Sequence, residues 1–132
     1  MKLLLIISAV IEGAVGASLL ILPGFTASNL LGVPLDTPAG LVAGRIAGAA
    51  LVALGIACWN ARNGKREELP NGVVVALLFY NFAAVMVLVH AGIRLRLLSP
   101  LLWPTIVLHL ALGVWCVVSF WSNQRKSSSA ET

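Results

Sequence analysis

The chain has 132 residues, 59% of them hydrophobic and 11% charged, with a formal net charge of +4 at pH 7 and a mean hydropathy of +0.96. Too few polar residues remain to cover a water-soluble surface of this size, and the length suits one compact domain. The basic residues stand at the ends of apolar runs and form no stripe, which argues against a nucleic-acid partner.

Four apolar runs, residues 3–22, 39–59, 73–93 and 101–121, fill most of the sequence. A hydrocarbon core about 30 Å thick takes about 20 helical residues to cross, and it offers backbone groups no water to bond. The runs therefore predict an all-α fold, a four-transmembrane-helix bundle over residues 1–122. A basic, Ser-rich tail over residues 123–132 is expected to be disordered.

The first span opens with Met1-Lys2, and its small residues Ala14, Gly16 and Ala17 give it some look of a signal peptide. The apolar run continues through Leu22 to full spanning length, so it is read as a retained helix. Ala9, Gly13 and Ala17 repeat every four residues and make a flat face. Glu12 falls near mid-span.

Pro23 to Gly32 then reads as a short interfacial helix on the outer side, with Thr26 as its cap, Phe25 stapled onto Leu30, and Gly32 at its end. Asp36 or Thr37 caps the second span with Pro38 in its first turn. Gly40, Gly44 and Gly48 give that span a flat face of its own, so it is expected to touch the first. That face serves packing within the chain, or a seam against a second copy or another subunit. Arg45 lies among these glycines. A polar connection from Asn60 to Gly72 follows. The third span carries Tyr80, Asn81 and, near its outer end, His90. Ser99-Pro100 opens the fourth span, where Pro104 tilts the first turn mildly and His109 lies in the outer half. Cys58 and Cys116 have neither CxxC spacing nor an adjacent His and read as buried filler.

Orientation follows from the flanking charges. Lys2, Arg62, Lys65, Arg66, Arg125 and Lys126 fall on one side, and only Arg94 and Arg96 on the other. The excess marks the cytoplasmic face, so both termini are expected inside, in a bacterial inner membrane. Trp59 and Trp121 at the inner boundary and Trp103 at the outer one agree.

Ionisable groups inside a span are expensive and should face the bundle interior. Counting about 1.5 Å per residue from the outer boundary puts Glu12, Arg45, His90 and His109 at depths of about 15, 9, 5 and 12 Å. A buried Glu12–Arg45 ion pair is expected, either as a structural pin or as part of a site with His90, His109 and Asn81. Such a site would suit a quinone carbonyl, a lipid headgroup or a small anion. Haem between the two histidines is disfavoured by a depth difference of about 7 Å, and no metal-ligand cluster is visible. Phosphate loops, GxSxG and HExxH are absent from the sequence, so an enzyme is not expected.

The segments IEGAVGASLL in the first span, NLLGVPLD after the outer Pro-Gly turn, and GRIAGAALVALGI in the second span are similar to the DoxX-like group of small four-helix bacterial membrane proteins. The resemblance covers most of the chain through loose motifs, chiefly an Arg followed by small residues. It implies a possible association with quinone-linked oxidoreductase complexes, and Arg45 is the residue it carries over. The leading expectation for function is a non-catalytic accessory or structural subunit of a larger membrane complex. The alternative is a quinone- or lipid-binding, redox-associated protein, and a small-solute transporter or channel formed by oligomers comes third. Expected partners are membrane lipids, other membrane subunits or further copies of the chain.

Overall fold

A computed structural model describes residues 1–63 and 71–128, with side chains through residue 122 apart from that of residue 71. It contains five helices: α1 (Lys2–Ile21), α2 (Pro23–Leu31), α3 (Pro38–Ala61), α4 (Asn71–Ile93) and α5 (Leu102–Ser128). Four stretches are long and apolar enough to cross a membrane: Lys2–Ile21, Pro38–Ala61, Gly72–Ile93 and Leu102–Ser122. They match the four expected spans to within three residues at each end. α5 continues past residue 122 to Ser128, so much of the expected disordered tail is helical backbone. The central part of the 60–72 connection lies outside the described residues.

Helix boundaries follow local chemistry. Thr37 caps α3 by accepting from the Gly40 N–H at 3.1 Å, and Pro38 occupies the first helical position, where no N–H is needed. Gly32 ends α2 in the left-handed region at φ 78°, where a side chain would be strained and a Cβ would meet the Leu98 carbonyl. α2 begins at Pro23, so Thr26 is not its cap; its hydroxyl bonds back to the Leu22 carbonyl at 3.0 Å. Phe25 is exposed instead of stapled. At the far end of α3, the Arg62 guanidinium lies 3.5 Å from the centre of the Trp59 ring.

Packing divides the bundle into two pairs. α1 lies along α3, α4 lies along α5, and the pairs touch each other sparingly. The α1–α3 seam is backbone against backbone: a Cβ on Gly48 would stand 2.5 Å from Leu20 N and 2.7 Å from the Gly16 carbonyl oxygen. Gly44 sits against Leu35 and Pro23, and Gly55 against Ala9 and Gly13. Gly40 meets only Thr37 and Leu35, outside the seam, while Gly16 and Gly55, which the four-residue repeats omit, are central to it. This small-residue face is thus spent within the chain.

All four long helices converge at one end, where Leu4, Leu5, Cys58, Val74, Leu77, Leu112 and Cys116 form the main core. Both cysteines are fully buried and free. A smaller cluster of Leu88, Leu102 and Ile106 joins α4 to α5 at the other end. There the Ser99 hydroxyl donates to the Asn29 carbonyl and ties the α4–α5 connection to α2. Between the two clusters the pairs part.

Candidate functional site

The parting of the helix pairs leaves a cleft of about 1010 Å³. Its walls are mainly Val, Leu and Ala from α1, α3, α4 and α5, and residues of α2 reach its far end. Sparse contact between α3 and α4, with Ala47, Ala50 and Val87 exposed, leaves it open on that side. Above the main core the cleft meets three polar side chains: Glu12, Tyr80 and His109.

The α4–α5 side of this cluster is an ordered network. Asn81, only 1% exposed, donates from Nδ2 to the Leu77 carbonyl at 2.7 Å, which turns its Oδ1 toward His109 Nδ1 at 2.9 Å. Because Oδ1 only accepts, Nδ1 carries the proton, and Nε2 of the neutral ring is left as an acceptor. The Tyr80 ring meets the His109 ring edge-on, with centroids 5.5 Å apart.

Glu12 presents a different picture. Its side chain is 1% exposed, yet Oε1 has no hydrogen-bond partner. Tyr80 is the polar neighbour of its carboxyl, though no bond of ordinary geometry joins them. One turn away on the same face, the fully buried Ser8 hydroxyl is also unpartnered. Buried polar groups are nearly always satisfied, so the orphaned carboxyl oxygen of a cleft-lining residue is exceptional.

The expected five-residue cluster does not assemble. Glu12, Asn81 and His109 gather at the cleft, whereas Arg45 and His90 are exposed on the outside of the bundle. No Glu12–Arg45 ion pair forms: Glu12 is buried, Arg45 is exposed, and the polar neighbour of the carboxyl is Tyr80. Gly48 packs on α1, and Arg45, three positions earlier and so about 60° around α3 from it, stands at the exposed flank of that seam. His90 follows Asn81 by nine positions, which carries it about 180° around α4. Tyr80, which the sequence marks only as a polar residue of the third span, proves central because it neighbours both Glu12 and His109.

Arg45→Leu should therefore leave thermal stability in detergent unchanged or raise it, since a charge on a lipid-facing position costs up to about 3 kcal/mol on insertion scales. A loss of about 3 to 5 kcal/mol, the scale of a broken buried pair, would show that Arg45 does meet a counter-charge.

The fold and the cleft together define a class: a helical protein with four helices of membrane-spanning length and an apolar cleft between two helix pairs. Comparison with known proteins returned no matching family model, no matching curated protein and no matching solved structure.

Proposed function

We propose that this protein binds a lipophilic small molecule inside the membrane and performs no chemistry of its own. The observation that carries this reading is the cleft of about 1010 Å³ with Glu12, whose buried Oε1 has no partner, among the residues that line it. Ligand sites are characteristically apolar, concave and furnished with a few convergent polar groups, and this volume lies at the upper end of their usual range of about 300–1,000 Å³. Lateral opening between α3 and α4 gives a bilayer-dissolved ligand a way in without crossing water. With the charge asymmetry taken as orientation, α2 lies at the outer surface and the cleft occupies the outer half of the membrane.

The DoxX-like resemblance fits this reading, and a quinone or its reduced form is among the lipophilic ligands it would imply. The accessory-subunit reading has lost its small-residue docking face to the α1–α3 seam. It keeps support from the same gap, along which a partner's transmembrane helix could lie, and from the exposed Phe79 and Phe82 on α4. A transporter has least support, since α1, α3, α4 and α5 run unbroken.

Purification in a mild detergent, followed by total-mass measurement and mass spectrometry of an organic extract, tests the proposal. A lipophilic species retained in near-stoichiometric amount, and lost from a Glu12→Leu His109→Phe variant that elutes normally, is the expected result. Co-purification of a membrane subunit with an empty extract would favour the accessory role instead.

A further inference from the structure

We infer that the ligand of this cleft carries a hydrogen-bond-donating head, an ammonium or a pair of hydroxyls on an apolar body, held between the Glu12 carboxyl and His109 Nε2. The inference rests on the ligand-binding reading above and specifies the chemistry of its head group.

The donors and acceptors along the wall are unevenly spent. Thr26 gives its hydroxyl hydrogen to the Leu22 carbonyl, and Ser18 therefore gives its own to Thr26 Oγ1 at 2.6 Å. The Thr105 hydroxyl donates to the Leu101 carbonyl at 2.7 Å. Each aliphatic hydroxyl lining the cleft is thus committed as a donor to its own helix or its neighbour, and the Tyr80 phenol has the Glu12 carboxyl as its polar neighbour. The acceptors are free. Glu12 Oε1 has no partner. His109 Nε2 is a lone-pair acceptor once Asn81 fixes the proton on Nδ1, and no hydrogen bond occupies it. Among the described residues no Lys or Arg lines the cleft, Arg45 being exposed elsewhere.

A wall with free acceptors and no cation is matched by a head that brings donors. A phosphate or carboxylate head would meet the Glu12 carboxyl with no counter-charge, and a quinone brings no donor to either Glu12 or His109 Nε2. An ammonium satisfies both free acceptors, gains a charge-assisted bond to Glu12, and lies beside the Tyr80 ring. A hydroquinone satisfies the same two atoms with its hydroxyls.

The test uses the full chain in phosphatidylcholine nanodiscs, with binding of decylammonium, decyl phosphate, a decyl-substituted benzoquinone and its hydroquinone measured by equilibrium dialysis. The ammonium or the hydroquinone should bind at least about tenfold more tightly than the phosphate and the quinone, about 1.4 kcal/mol in affinity. Glu12→Gln removes the charge and retains an amide of similar size. If the ammonium is the natural type of head, this variant should weaken decylammonium about tenfold or more and spare the hydroquinone; the reverse order of affinities identifies the hydroquinone type. Tighter binding of the phosphate or quinone overturns the donor-head inference and leaves the ligand site standing. Equal retention of every probe by wild type and by Glu12→Leu His109→Phe, or by empty discs, removes the site altogether.

Discussion

Gly48→Ala should destabilise the folded protein by about 1 to 3 kcal/mol, the usual cost of forcing extra volume into a tight contact. The added methyl would stand 2.5 Å from Leu20 N and 2.7 Å from the Gly16 carbonyl oxygen, both backbone atoms that cannot swing aside. α1 and α3 must separate, and close van der Waals contact is the main force holding helices together where lipid is as apolar as the protein. Gly44→Ala should cost less, since its close neighbours are the Leu35 Cδ1 tip at 2.8 Å and the Pro23 ring, and the leucine can change rotamer. Gly13→Ala should be close to neutral, because nothing lies within 4 Å of its Cβ position. Thermal unfolding of the three variants in one detergent would establish the order. Equal effects at Gly48 and Gly13 would mean that α1 and α3 do not pack in this register.

The seam also shows how far the sequence could be followed. Span number, span limits and the Thr37, Pro38 and Gly32 boundaries are local properties, set by run length and by single residues with fixed conformational roles. Which face of each helix turns inward is not local. Val10 is 59% exposed and Phe79 74%, while Leu4 and Leu77 are fully buried, and all four are apolar. In a membrane both the lipid side and the core side of a helix are apolar, so the stripe that orients a soluble helix is missing. Only glycines and polar residues mark rotation. The glycines placed α1 against α3, but depth alone assembled Arg45 and His90 into a cluster that neither joins. For His90, phase relative to Asn81 was the available signal, whereas Arg45 lies only about 60° from Gly48 and its exclusion was not legible in helical phase. The Asn81–His109 bond needed more, because it depends on how α4 and α5 are rotated about each other.

That correction changes what Glu12 is for, and Glu12→Leu is the sharpest consequence. A buried polar atom without a partner costs about 1 to 3 kcal/mol, and here no Arg45 offsets it. Leucine has a similar size and would extend the apolar core formed by Leu4, Leu5 and Leu77 below. In the absence of ligand, Glu12→Leu should therefore raise the thermal midpoint, by a stability gain of about 1 to 3 kcal/mol. Glu12→Gln, which leaves a polar group in the same place, should gain little. Ligand should reverse the order: anything that binds only the folded state adds RT ln(1 + [L]/Kd), and about 2.7 kcal/mol is available to the wild type at a hundredfold excess over Kd. The leucine variant, having lost the acceptor, should not respond. Thermal scans of both proteins with and without the retained lipophilic extract would decide the matter. A lower midpoint for ligand-free Glu12→Leu would mean that the carboxyl is a structural group with a partner of its own. A higher midpoint with no ligand response identifies it as a group held for binding at the expense of stability.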